Sequence, residues 1–389
     1  MPPRQAPSNS APLDLVFVTT EDWYFLSHRL GLAQAEQRRG QRLALAARIE
    51  QGGAARLAKA DIEAIALPWR RGGFSLLRDL LAVARLYHLY RRRRPRLVHH
   101  VALKPILLGT LAARMAGTHP IVNAVAGLGF MFTAKTWRAR FLRFLFVILA
   151  RPLMRGAQCH FLFQNPSDRA VLSKLLRLNP EQTHLIAGVG IDLAHYPALP
   201  APENPGIIVA LVARMLAIKG IDLAVAAIQR LRQEGLAIHL DLFGALDPGN
   251  PSAFTKAQID IWQAQGGVTW HGHVEDIATV WGRADIAILP SRGGEGLPKA
   301  LLEAAACARP MVGSDVPGIA SLVIDGVTGI RVAVENVEGL AIALRRLADD
   351  RALRLAMGLR ARAHIAAQFS AEQIQEALGA LHQRLMSGQ

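Results

Sequence analysis

The stretch SRGGEGLPKALLEAAACARP, residues 291–310, sets the reading of this chain. It places two carboxylates, Glu295 and Glu303, eight positions apart. Glu295 falls in a glycine-rich loop, and Glu303 falls in an Ala/Leu-rich run of helical character. ILP before the loop reads as the end of a buried strand. PMVGSDVPGIASLVIDGVTGIRV after it reads as strand, loop, short helix, turn and strand. A strand, a glycine loop and a helix present backbone N–H groups where a phosphate is welcome. A carboxylate one to two turns further in can accept hydrogen bonds from ribose hydroxyls, and one in the loop can do the same for a sugar. That layout suits a nucleotide sugar. It does not suit ATP at a P-loop, because GxxxxGK[ST] is absent. The spacing by itself is also what a solvated helix face produces.

Outward from this segment, strand and helix signals alternate along the whole chain, which predicts parallel sheets with helices on both faces. LDLVFVTT (13–20), RLALAAR, IEAIALP, RLVHHVA, HPIVNAVAGLG, CHFLFQN and HLIAGVGI read as strands of a first half. SDRAVLSKLL reads as a helix opened by a serine cap. YPALPAPENP, residues 196–205, holds four prolines and reads as a linker. The pattern then restarts with GIIVALVAR and ends in a long helical stretch. The expected division is a disordered lead at 1–12, a Rossmann-like domain at 13–195, the linker at 196–205, a second Rossmann-like domain at 206–370, and a C-terminal helix at 371–389.

Three segments carry a family resemblance: residues 287–333 around the two glutamates, ARMLAIKG at 213–220, and GVGIDLAHYP at 188–197. With them the chain resembles the family-4 retaining glycosyltransferases over nearly its whole length. Among these it is similar to bacterial enzymes that build capsule, exopolysaccharide and lipopolysaccharide on polyprenyl-diphosphate carriers. The resemblance implies the GT-B fold, two Rossmann-like doubly wound α/β domains facing a central cleft. It implies a donor site in the second domain, an acceptor site in the first, and a last helix (371–386) that crosses back to the first domain. It also implies a nucleotide-sugar co-substrate, with a UDP-sugar favoured, and a membrane-bound, lipid-linked saccharide acceptor. No cofactor is expected. No DxD-type metal motif lies near the proposed site, so metal independence is expected as well.

The resemblance assigns Arg214 and Lys219, which follow the strand IIVALVAR, to the donor diphosphate. A guanidinium and an ammonium there oppose the charge that develops on a departing nucleoside diphosphate. Glu295 is expected on the hydroxyls of the transferred sugar, and Glu303 on the ribose. Gly294, Gly296 and Leu297 are expected to line the donor through their backbone; Pro298 offers no N–H. Ser321 and Leu322 are weaker candidates near the base or ribose. Asp192 is either part of the GVGID hinge or an ordinary cap. Arg214, Lys219 and Glu295 form the catalytic set, with no general base assigned.

On the acceptor side, many relatives carry a glycine-rich loop after the first strand. Here that place is taken by TTEDWYFLSH, with Trp23, Tyr24, His28 and Arg29. Gly127, Leu128 and Gly129 form a second candidate contact. His99 and His100 either face the acceptor or pack, and Lys104 is a candidate for an acceptor phosphate.

Composition narrows the partners. Residues 1–195 carry 28 Lys and Arg against 11 Asp and Glu, a net of +17, whereas residues 196–389 carry 17 against 19, a net of −2. A field segregated in this way suits a polyanion or an anionic surface. The basic residues interleave with aliphatics rather than stacking aromatics, and no nucleic-acid motif is present, so nucleic acid is not expected. Around 137–155, Arg140, Arg143, Arg151 and Arg155 fall on one helical stripe and Trp137, Phe141, Phe144, Leu145 and Ile148 on another. Either this helix rests on an anionic membrane, with the basic stretch from Arg70 through RRRRPR (91–96) beside it, or its apolar stripe is core. No run of some 18 apolar residues offers a transmembrane span. The expected location is the cytoplasmic face of the membrane, held peripherally. With two cysteines, Cys159 and Cys307, no disulfide framework is expected. Two rival functions remain at this level: a GT-B-like sugar-nucleotide epimerase, and a non-enzymatic basic protein that binds membrane or nucleic acid.

Overall fold

The computed structural model describes residues 12–69, 75–129, 132, 136–188, 190–250 and 252–388. The expected disordered lead lies almost wholly outside the described residues, as do Arg70 and Val189. The chain divides into two compact units: Met1–Gly188 together with Gln375–Gln389, and Val189–Ile374.

The first unit is built on seven strands: β1 (Leu15–Glu21), β2 (Leu43–Arg48), β3 (Glu63–Ala66), β4 (Leu97–Val101), β5 (Ile121–Val125), β6 (Cys159–Phe163) and β7 (Thr183–Leu185). They lie in the order β3-β2-β1-β4-β5-β6-β7, with every pair parallel. Helices cover both faces, which is why the strands read as continuous apolar runs. Val16, Val18, Val98 and Phe161 pack on one side with Leu86 and Ile106. Leu15, Phe17, Leu97 and Val122 pack on the other with Phe25 and Leu378. Successive strand residues thus point to opposite, equally dry layers.

The second unit repeats the plan with β8 (Ile207–Val212), β9 (Ile238–Phe243), β10 (Val268–Trp270), β11 (Ile286–Leu289), β12 (Met311–Ser314) and β13 (Gly329–Val332). The order is β10-β9-β8-β11-β12-β13, again all parallel. In each sheet the strand order reverses beside the first strand, between β1 and β4 and between β8 and β11. Loops leaving the C-terminal ends of those strands form the crevice where such sheets bind ligands.

Several local expectations are corrected. The place read as a loop after the first strand is helical: Asp22–His28 starts directly from β1, and the chain breaks at Arg29 before a second helix, Leu30–Arg38. Buried Asp22 accepts the backbone N–H groups of Trp23 and Glu50, at 2.7 and 3.0 Å, which fixes this start. The helix Pro166–Leu176 is capped by Asn165, not by a serine; Asn165 Oδ1 accepts Asp168 N at 2.8 Å, and proline fills the first helical position. The proline-rich 196–205 segment is no free linker. It is docked within the second unit, where Asn204 donates to Arg283 O and Arg309 donates to Pro200 O at 2.7 Å. Prolines cannot donate but leave carbonyls to satisfy, and the Arg309 side chain satisfies them.

The last helix, Ala371–Ser387, leaves the second unit and belongs to the first from Gln375 onward. Leu378 and Leu381 join the first unit's core. His382 Nδ1 lies 2.9 Å from Glu36 Oε1, and its Nε2 lies 3.1 Å from His99 Nδ1, all three side chains being fully buried.

Candidate active site

The loops after β8, β9 and β11 bring the candidate donor residues to the switch point of the second sheet. β8 ends at Val212, and a short 3-10 turn, Ala217–Lys219, leads to Gly220. Gly220 has φ +70°, and a Cβ there would stand 2.0 Å from the carbonyl oxygen of Pro290. Only glycine allows this approach. It sets Lys219 directly against the loop that leaves β11.

There Lys219 Nζ meets both oxygens of Glu295, at 2.7 and 2.9 Å. Ser291 Oγ donates to Glu295 Oε1 at 2.8 Å and lies 3.0 Å from Ile218 O. Arg292 N donates to Ile218 O at 2.8 Å, and its guanidinium clasps Asp222 with two bonds of 2.8 and 2.7 Å. The two loops are therefore stitched together by backbone, hydroxyl and ion pair. An ammonium carries three N–H donors, and one carboxylate takes two of them in this geometry.

Arg214 precedes Lys219 on the same loop. Its Nη1 donates to Asp247 Oδ2 at 2.6 Å, and the Asp247 side chain is almost entirely buried. Asp247 comes from the segment after β9, which lies against 214–217 through the bonds Met215 N–Ala245 O and Ala217 N–Ser252 O. Glu303 sits in the second turn of the helix Lys299–Ala306, 3% exposed. Its Oε1 accepts from Tyr196 Oη at 3.0 Å and from Lys299 Nζ at 2.9 Å. Burial, and then the Glu303 charge beside it, push the Tyr196 phenol well up, so it stays a proton donor. Gly293 and Gly294, with φ of +131° and +75°, turn the loop ahead of Glu295, Gly296 and Leu297.

Lys219 and Glu295 are thus in direct contact, Arg214 is on the same loop, and Glu303 follows on the adjoining helix. Leu322 is different: its side chain is fully buried, and Ser321 Oγ turns back to Pro317 O. Asp192 is a local cap that accepts Ala194 N and His195 N; its neighbour Val189 lies outside the described residues. Four contributors escaped the sequence reading. Asp247 carries no local signal, because only the sheet brings it in, and Ser291 stands in the glycine loop itself, four residues before Glu295. Tyr196 lay in the supposed linker. Lys299 could have been found, standing four residues before Glu303 on one helix.

On the first unit the outcome is mixed. Trp23 and His28 are half-buried on the helix leaving β1, and His28 stacks on Tyr24 at 4.4 Å. Gly127 and Gly129 follow β5 with φ of +106° and +62°. Of the two readings open for His99 and His100, acceptor contact or packing, burial gives packing: both are fully buried core residues. His99 lies tilted against Phe17 and pairs with His382, while His100 meets Asn123 and Tyr90 at 3.0 and 3.1 Å. Burial pulls His100 down to about 4, so both the pairing and the neutral ring serve packing. Lys104 Nζ lies 2.7 Å from Asp79, an ion pair where an acceptor phosphate was expected. The two thiols are buried, and burial pushes Cys159 up to about 12 and Cys307 up to about 11, which leaves neither a nucleophile.

The helix Trp137–Leu153 settles one alternative. Only Ala139, Phe146 and Ala150 are buried; Trp137 is 72% and Phe144 62% exposed, with Phe141, Leu145 and Ile148 also outward. The apolar stripe is not core. Among the described residues no helix is long and apolar enough to cross a membrane, and no group of three His, Cys, Asp or Glu could hold a metal ion.

Comparison with known proteins agrees with this architecture. Residues 206–350 match the family Glycosyl transferases group 1, and residues 14–159 match the family Glycosyl transferase 4-like. The chain carries both of these glycosyltransferase domains. This glycosyltransferase is 32% identical over 183 residues to the glycogen synthase of Mycobacterium tuberculosis, covering 46% of this chain but only 43% of that protein. It is 24% identical over 307 residues to the Escherichia coli UDP-Gal:alpha-D-GlcNAc-diphosphoundecaprenol alpha-1,3-galactosyltransferase, covering 76% of this chain and 77% of that one. Among solved structures, Anabaena Alr3699/HepE in complex with UDP and glucose superposes with a TM-score of 0.76 at 16% identity, covering 96% of this chain and all of that one. The fold of the glycosyltransferase is accordingly GT-B, with its two parallel α/β sheets.

Proposed function

We propose that this glycosyltransferase moves a hexose from a UDP-sugar, with retention, to a polyprenyl-diphosphate-linked saccharide at an anionic membrane surface. The observation that carries the reading is the Lys219–Glu295 pair, with Arg214 on the same loop, at the β8/β11 switch point. Two cations at the C-terminal ends of these strands suit a diphosphate leaving group. A carboxylate between them and a glycine loop suits the hydroxyls of the sugar. In support, the E. coli relative is named for a UDP-Gal donor and a diphosphoundecaprenol acceptor, and HepE was solved with UDP and glucose.

In this mechanism Lys219 turns its third N–H to a diphosphate oxygen, and Arg214, oriented by Asp247, takes another. Glu303 accepts the ribose hydroxyls through the oxygen that Tyr196 and Lys299 leave open. As the bond from the anomeric carbon to the phosphate oxygen breaks, charge grows on that oxygen and both cations stabilise it more than the ground state. The acceptor hydroxyl attacks on the same face, and its proton passes to the departing phosphate oxygen. Glu295 positions the sugar throughout. Arg214 and Lys219 supply the positive charge that a divalent ion supplies elsewhere, so EDTA leaves turnover unchanged.

The acceptor is offered from a membrane by the first unit. The outward apolar stripe of Trp137–Leu153 enters the lipid boundary, with Arg138, Arg140 and Arg155 at headgroup level. The test is incubation with labelled UDP-hexoses, with and without a polyprenyl-diphosphate disaccharide in vesicles. Acceptor-dependent transfer to lipid is expected. Epimerisation or UDP release that needs no acceptor sinks the reading.

A further inference from the structure

Among the described residues of the first unit, Arg29 is a buried charge left poorly satisfied. It stands at the break between the helices Asp22–His28 and Leu30–Arg38, and only 1% of it is exposed. Nη1 donates to Gly188 O, but Nε and Nη2 have no hydrogen-bond partner. Among the described residues no carboxylate lies within ion-pair distance of it. The adjoining His99 is held well below the ordinary imidazole range, by burial first and by neighbouring charges that include Arg29, so it is neutral and no counter-charge. An unpaired cation buried in this way is costly to the fold.

Beside the guanidinium is a cavity lined by Arg29, Ala124, Leu162, Gln164, Gly188 and Leu378. It has room for about one water-sized atom. It lies at the C-terminal ends of β5, β6 and β7, the ligand-binding edge of such a sheet. Gly188 keeps it open: a Cβ there would stand 2.0 Å from Gln164 Nε2 and 2.8 Å from Arg29 Nη2. The groups that face the cavity with polar atoms to spare are a guanidinium and an amide, both rich in donors.

We propose that Arg29 and Gln164 form an anion site that takes one terminal oxygen of a phosphate group. The site belongs to the first unit and is separate from the Arg214–Lys219 pair. The inference rests on the proposed function only for the source of that phosphate. A lipid-linked acceptor supplies it from its diphosphate; otherwise inorganic phosphate does.

The experiment uses the full chain saturated with UDP, so that the donor residues are occupied. Inorganic phosphate, or a short-chain prenyl-diphosphate sugar, is titrated at constant ionic strength set with chloride, and Tm is read. A saturable rise of a few degrees is expected. The rise is lost in Arg29→Gln. It is also lost in Gln164→Leu and Gly188→Ala, which retain the arginine should its removal unfold the chain. Tighter response to the prenyl diphosphate marks the acceptor as the source, and equal response marks free phosphate. No response to either anion, or an unchanged response in all three variants, means that the cavity holds only water and overturns the site. UDP stabilisation is read in the same samples: its absence would count against the donor reading, while the phosphate titration alone decides Arg29.

Discussion

Lys219 and Glu295 spend their charges on each other, and this makes their roles separable by substitution. Lys219→Ala removes a cation from the leaving group and should lower kcat by about 10²–10³-fold, the cost of one preorganised charge partner. Glu295→Gln keeps the shape but releases Lys219 from its carboxylate. It should lower kcat with little change in UDP affinity, since the diphosphate contacts remain. Tyr196→Phe is milder. One hydrogen bond to Glu303 is lost, a net change of about 0.5–1.5 kcal/mol. The KM for the UDP-sugar should rise roughly two- to tenfold with kcat unchanged. Steady-state kinetics with varied donor checks all three. A Tyr196→Phe effect on kcat alone would remove Glu303 from ribose binding. These residues also show what a sequence can disclose. Lys219, Glu295 and Glu303 stand in motifs with recognisable flanks. Asp247 sits in a polar turn indistinguishable from any other until β9 is placed beside β8.

Among the elements, the strands were the most legible, because burial on both faces leaves unbroken apolar runs. Boundaries and breaks were less so: nothing local distinguishes the halt at Arg29 from a continuous helix. Strand β4 misled for a different reason. Its two histidines look functional in sequence, yet parallel strands buried on both sides must bury whatever they carry. That burial makes a prediction. His100 has a folded value of about 4 against about 6.5 unfolded, so the unfolded chain takes up the proton first as pH falls. The stability that His100 confers by remaining neutral is complete above about pH 6.5 and is lost as pH falls toward 4, on the order of 3 kcal/mol in all. His184, also pulled to about 4 but half-exposed, adds a smaller share. The protection factors of the β4 amides, which remove the intrinsic pH dependence of exchange, should fall steeply between pH 6.5 and 4, and His100→Gln should flatten that slope. A slope unchanged in the variant would place the acid sensitivity elsewhere. The helix Trp137–Leu153 carries its own prediction. Phe141→Glu with Phe144→Glu should abolish sedimentation with neutral vesicles while leaving transfer to a short, soluble acceptor near its original rate, because neither ring is packed in the core.

For the whole molecule, the deciding quantity is how charge and apolar surface combine. The first 195 residues hold a net of +17, and no acidic residue occurs from 80 to 167. The helices Leu76–Arg93, Leu103–Ala116 and Trp137–Leu153 pack in succession on one side of the first sheet, and the outer two carry exposed leucines, phenylalanines and arginines. Each Lys or Arg near an anionic leaflet contributes about 1 kcal/mol, and that share fades as the Debye length shrinks. The apolar stripe is indifferent to salt. Binding to vesicles rich in anionic lipid should therefore weaken by at least tenfold between about 0.05 and 0.5 M NaCl, then level off at a residual set by Trp137, Phe141 and Phe144. Neutral vesicles should show that residual alone, at every salt concentration. In the double glutamate variant the residual should vanish, and the salt-sensitive part should survive in weakened form. Co-sedimentation across the salt series, with both lipid compositions and both proteins, tests this. A wild-type curve falling to zero at high salt would make the association purely electrostatic and leave the exposed aromatic stripe without a membrane role.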